Sequence, residues 1–172
     1  MKKVLLIITA CLLLFSAWGC MSPEEKETQN QIMAYLDNMA AIEEEKSKVT
    51  DSALIVENSD DEEEILTLLT DDMLPTAEAI SQSLGEIEVS DQQLKVVHQH
   101  FVDGWAQFTQ GLVEMRDGLQ EKDLDKAEAG SVAVQASQDK LNLYYQELTT
   151  LCTEHNIKLE TEIPQDNVNT ES

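Results

Sequence analysis

The sequence predicts an all-α protein: an up-down antiparallel bundle of four helices, the second kinked at Pro75, behind an apolar leader that is cleaved off. Three observations predict it. Apolar residues recur at alternating steps of three and four along four separate stretches, which is the period of an amphipathic helix. Residues that start and stop helices stand between those stretches. No stretch alternates apolar and polar residues for long enough to read as a strand. Short links between successive helices require neighbours that reverse direction. A long coiled-coil dimer would use the same stripes, and the short turns favour a chain that folds back on itself.

The first stripe is Ile32, Tyr35, Met39, Ile42, Lys46, Val49, Ala53 and Val56, broken only by the charge at Lys46. It ends near Asn58, and Ser59 with Glu62 reads as the capping box of the next helix. The second stripe is Leu66, Leu69, Met73, Thr76, Ile80 and Leu84. Pro75 lies inside it, removing one backbone donor and crowding the preceding turn. The apolar register continues past Pro75, so a kink is expected rather than a break. Gly85 is read as a left-handed terminator.

Ser90 with Gln93 reads as another capping box. The third stripe, Leu94, His98, Phe101, Trp105, Phe108, Leu112, Met115 and Leu119, should carry the heaviest core, because it holds every Phe and Trp that follows the leader. Gly104, Gly111 and Gly118 recur beside it at intervals of seven. Each costs a helix about 1 kcal/mol against Ala, so close approach of a neighbouring helix is the expected return. A turn at Glu121 to Asp123 leads to the fourth stripe: Leu124, Ala127, Ser131, Val134, Gln138, Leu141, Tyr145, Leu148, Cys152 and His155. Small Ala127 and Ser131 are expected to receive large side chains of the third helix. Asn156 is read as a left-handed terminator, with Ile157 placed for the usual apolar contact. Periodicity is lost beyond it, and residues 158–172, which contain Pro164, are read as a disordered tail.

The leader begins with Met1-Lys2-Lys3, and Val4 to Trp18 is almost wholly apolar. Basic start, apolar run and small-residue cleavage region make a secretory signal. The run is short of the roughly 18 to 20 residues that span hydrocarbon. It is followed by acidic Glu24-Glu25 rather than a basic flank. The sequence Ala17-Trp18-Gly19-Cys20 resembles the lipobox of bacterial lipoproteins, with Trp18 standing where a small residue is usual. That resemblance covers the first 20 residues. It implies diacylglyceryl transfer to the Cys20 thiol, cleavage before Cys20 and a membrane anchor on the extracytoplasmic or periplasmic side. Ile8-Thr9-Ala10-Cys11 has a similar pattern, but cleavage there would leave only Val4 to Ile7 as apolar core. The chain thus divides into a signal over 1–19, a tether over 20–28, a helical domain over 29–157 and a tail.

The formal charge of the whole chain is −23. The signal carries off Lys2 and Lys3, so the mature part is more acidic by two charges. Such a chain is repelled by nucleic acid, whose binding needs cations against phosphate. It is repelled equally by anionic headgroups, so the body should not lie flat on the membrane. After cleavage and lipidation only Cys152 remains as a thiol, which excludes an internal disulfide and reads as a buried cysteine.

Enzyme signatures are missing: no Gly-rich phosphate loop, no G-x-S-x-G and no H-E-x-x-H. Carboxylates occur in runs such as Asp60 to Glu64, the pattern of a solvated helix face. No cofactor is expected, since neither Glu-x-x-His nor Cys-x-x-Cys-His occurs. The expected function is a non-enzymatic, membrane-tethered module that binds a protein, peptide or envelope component, with Leu54, Leu74, Val102, Tyr144 and Leu151 as candidate contact residues. The alternative is a metal or haem site near one bundle end, built from His98, Cys152 and His155 with Met33 and Met39 nearby. An enzyme of unfamiliar type is a third reading.

Overall fold

Ser22-Pro23-Glu24-Glu25 starts the first helix. The Ser22 hydroxyl accepts from the Glu25 backbone N–H at 3.1 Å, and Glu25 reaches back to the Ser22 N–H at 2.8 Å. Pro23 sits at the first helical position, where a missing N–H costs nothing. Helix α1 therefore runs over Pro23–Asn58, and the expected tether over 20–28 is corrected: from Pro23 onward it is helix. The computed structural model describes residues 22–159. The signal, Cys20 and residues 160–172 of the tail lie outside the described residues.

The described chain continues as α2 (Glu62–Thr67), a π-helical segment (Leu68–Met73), α3 (Leu74–Glu86), α4 (Gln92–Glu121) and α5 (Leu124–Glu154). No strand occurs among the described residues. The fold is an all-α helical bundle, as the four stripes predict.

From α2 to α3 the chain forms one rod, with helical dihedrals at both joints. The π-helical segment lies immediately before Pro75, and the physical reason is local. A proline ring clashes with the carbonyl four residues back. The widened turns bond to the fifth residue instead, as where the Leu74 N–H reaches the Leu69 carbonyl. The irregularity at Pro75 is thus absorbed upstream, and both Leu69 and Met73 of the wide turns are buried.

Three predicted caps move by a residue or two. Asp61, not Ser59, caps α2, accepting from the Glu63 and Glu64 N–H groups. Asp91, not Ser90, caps α4, accepting from the Leu94 N–H at 2.8 Å. In both cases a carboxylate beside the helix start displaces a hydroxyl one or two residues further out. Gly85 is not left-handed; α3 runs past it to Glu86 and ends with Ile87 extended. Among the described residues the left-handed positions are Lys122, at the α4–α5 turn, and Asn156. After Asn156 the Ile157 N–H bonds the Cys152 carbonyl at 2.7 Å, closing the expected terminator.

Contact pairs show how the rods lie. Trp105 donates its indole N–H to the Ala77 carbonyl at 2.9 Å, joining α4 to α3. Gly104 faces Leu141, Gly111 faces Gly130 and Gly118 faces Ala127, so residue numbers rise on α4 as they fall on α5. A Cβ on Gly118 would lie 2.4 Å from the Ala127 nitrogen. The glycine stripe is therefore where the α4 and α5 backbones nearly touch. Gly130, on the opposite face of that contact, had no forecast role. α1 meets the rod of α2 and α3 on one side. On the other side it reaches α5 through long side chains: Gln29 donates to the His155 carbonyl, and Lys46 and Glu43 bond Tyr145.

The core follows the stripes closely on α1, α3 and α4. Ile32, Met39, Ile80, Phe101, Trp105 and Leu112 are among its buried members. On α5 the stripe holds from Leu141 to Cys152 but fails before it. Leu124 is 71% exposed, and Gly130 and Ser137 are buried in place of Ser131 and Gln138. The glycine contacts rotate this half of α5 toward its α4-facing small residues.

Candidate functional site

The middle of the bundle holds a polar cluster. Lys46 is the charge that interrupts the first stripe, and its position on the helix aims it at the core. Its Nζ binds Glu43 Oε2 at 2.6 Å and also donates to the Tyr145 hydroxyl. Tyr145 donates to Glu43 Oε1 at 2.5 Å, so the three groups close a ring. The ammonium lies 4.8 Å from the Tyr145 ring centre and 5.8 Å from that of Phe101. Aromatic faces of this kind partly replace the water a buried cation has lost.

A second group adjoins it. The Tyr35 hydroxyl lies 3.2 Å from His98 Nδ1 and 3.5 Å from the Tyr144 hydroxyl. Burial pushes the His98 pKa below its ordinary 6.5, opposed by a hydrogen bond with the Leu84 backbone. Burial likewise holds the hydroxyls of Tyr35, Tyr144 and Tyr145 well above the usual tyrosine range, with the Glu43 charge adding to the effect. These phenols are fixed as neutral donors. Every buried side-chain nitrogen or oxygen among the described residues has a partner. The arrangement is a closed polar core that joins α1, α4 and α5.

The predicted ligand set is placed but not assembled. His98 is engaged by Tyr35 in the core. Cys152 is buried and free, and burial pushes its thiol up to about 11. His155 follows the end of α5 and offers its backbone carbonyl to Gln29. Met39 is core and Met33 half-buried. Among the described residues no three His, Cys, Asp or Glu side chains lie together as a metal would require. His100, off the stripe, pairs with Glu147 at 3.2 Å. Sequence reasoning missed Glu43. The available signal was Lys46: a cation on a core stripe needs an acidic partner, and the one three residues earlier shares its helix face.

Of the candidate contact residues, Leu74, Tyr144 and Leu151 are buried and Val102 is half-buried. Leu54 alone is exposed, at 54%, and its neighbour Ile55 is 47% exposed. Together they line an open groove of about 920 Å³ where α1 turns into α2, beside Asp60, Asp61, Glu62 and Glu64. A second groove, of about 570 Å³, runs between α1 and α3 over Ala41, Ile42, Ala79 and Ile80. Comparison with protein-family models, curated proteins and solved structures finds no match for this chain.

Proposed function

We propose that the chain is the precursor of a lipid-anchored protein of the bacterial envelope, cleaved before Cys20. Its helical body would stand on the extracytoplasmic or periplasmic side and bind a protein, peptide or envelope component without catalysing a reaction. The observation that carries this reading is the junction at the end of the apolar leader. Gly19-Cys20 closes a lipobox-like sequence, and Ser22 caps α1 two residues later. Cleavage there leaves every described core residue, from Ile32 to Cys152, in the mature body.

In this reading two acyl chains on Cys20 hold the body at the bilayer. Each buried methylene contributes about 0.8 kcal/mol, and a single chain would hold only marginally. No helix among the described residues is long and apolar enough to cross a membrane. The acidity of the body and its satisfied core both suit a binding module held off an anionic surface.

The test is intact mass spectrometry of the protein extracted from bacterial membranes. The expected species begins at Cys20 and carries a diacylglyceryl group. Cys20→Ser should give an uncleaved precursor or a body released from the membrane. A correctly cleaved Cys20→Ser protein that still partitions into the detergent phase would overturn the proposal.

A further inference from the structure

We infer that the groove at the α1–α2 corner is a docking surface for a basic polypeptide segment that presents one or two apolar side chains between lysines or arginines. Leu54 and Ile55 are adjacent, large and about half exposed at the groove wall. Both lie on α1 beyond Val49, its last buried residue, where the other exposed residues, Thr50, Asp51, Glu57 and Asn58, are polar and the apolar Ala53 and Val56 are half-buried. They are the apolar part of the site, and the charge around them selects the occupant.

Four carboxylates line the same groove. Asp61 is used in capping and Glu64 accepts from the Ser59 hydroxyl at 2.6 Å. Asp60 and Glu62 have no side-chain partner among the described residues, and no described salt bridge brings a cation to any of the four. The helix dipole accounts for acids in the first turn of α2. It does not account for Asp60, which lies outside that turn, nor for the apolar pair. A second copy of this chain would bring like charge against like charge, which costs several kcal/mol across an interface. Anionic lipid and nucleic acid are excluded by the same sign. A basic, apolar-tipped segment satisfies both halves of the surface.

This deepens the partner-binding reading and rests on it for the direction of approach. α1 rises about 54 Å from its start to this corner. A body anchored through Cys20 would offer the groove far from the bilayer, where a partner in the surrounding medium meets it first.

The experiment uses the full chain in neutral detergent and a fluorescein-labelled peptide of two leucines flanked on each side by two lysines, read by anisotropy. Leu54→Ser with Ile55→Ser, and separately Asp60→Lys with Glu62→Lys, should each weaken binding about tenfold. Leu124→Ser with Val132→Ser, an exposed apolar pair on α5, should leave it unchanged. A peptide with serines for leucines should also bind about tenfold more weakly. Circular dichroism checks that the variants keep their helix. No binding of the leucine peptide would overturn the inference. So would unchanged affinity in the Leu54/Ile55 variant, equal binding of the serine peptide, or dimerisation in ultracentrifugation that this variant abolishes. Lipid on Cys20 is read by mass, so loss of the anchor and loss of this groove are separable results.

Discussion

At the scale of single residues, Lys46 and Glu43 have the largest effect to test. Removing one partner of a buried ion pair leaves the other charge without compensation, at a cost of about 3–5 kcal/mol. Lys46 keeps some solvent contact, so Lys46→Met should fall near the low end of that range. Glu43→Leu combined with Lys46→Met should cost less than the two single changes added together. Urea unfolding of the three variants measures it, and strict additivity would mean that the ring with Tyr145 carries no coupling. His98 makes a pH prediction. Its folded pKa lies below the unfolded 6.5, so the unfolded chain binds more protons in that window. Its contribution is therefore present above about 6.5 and lost as pH falls below it. His98→Gln should flatten the decline in urea midpoint between about pH 7 and 5. Parallel declines in both proteins would remove His98 as the cause. His98 was legible in the sequence as a stripe residue, but its partner was not. Tyr35 is 63 residues away, and no local pattern records such a pairing.

At the scale of elements, the glycines separate two outcomes of one substitution. Gly118→Ala gains helix propensity worth about 1 kcal/mol, but its Cβ would meet Ala127 backbone, which cannot swing aside as a side chain does. The net effect should be a loss of about 1–3 kcal/mol. Gly130→Ala, whose Cβ would sit 2.5 Å from the Met115 nitrogen, should behave alike. Gly85→Ala meets nothing within 4 Å and should stabilise by about 0.5–1 kcal/mol. Thermal melts of the three variants test the sign, and a destabilised Gly85→Ala would mean that its helical position is misread. The elements were largely legible because stripe period and helix face are the same fact. Where the sequence misled, a local competitor was present. Asp61 and Asp91 outbid nearby serines as caps. Glycine-driven crossing turned the first half of α5, exposing Leu124 despite its place on the stripe.

At the scale of the whole molecule, the two ends differ. Gln29 with His155, and Gln31 with Ser90 at 3.2 Å, bring together the start of α1, the end of α5 and the link before α4. In the anchored reading that end is near the lipid and the α1–α2 corner is distant. Buried Cys152 resists labelling, so single cysteines at Asn58, Lys122 and Gln92 can be addressed cleanly in the lipidated protein. A headgroup quencher should dim the Gln92 label most. Equal quenching at all three would mean that the body does not stand upright. The sequence already implied this height difference, because helices that reverse at short links put the start of the first, the start of the third and the end of the fourth at one end. What it did not show is the side chains that meet there, Gln29 with the His155 carbonyl and Gln31 with Ser90.

The contrast between the glycine-tight α4–α5 contact and the side-chain bridges of α1 also bears on the order of assembly. Gly118 and Ala127 are close in sequence and form a hairpin that needs little loop closure. The Lys46–Tyr145 and Gln29–His155 bonds join residues 99 and 126 apart. Local contacts form early and distant ones late. A chain exported amino end first, as the anchored reading has it, would thus deliver α1 well before α5, the helix it reaches through those two bonds. In that reading α1 could pack against the rod of α2 and α3 as soon as the rod emerged, while the side chains that bridge to α5, Lys46 and Gln29 among them, would stay without their partners until the last helix arrived.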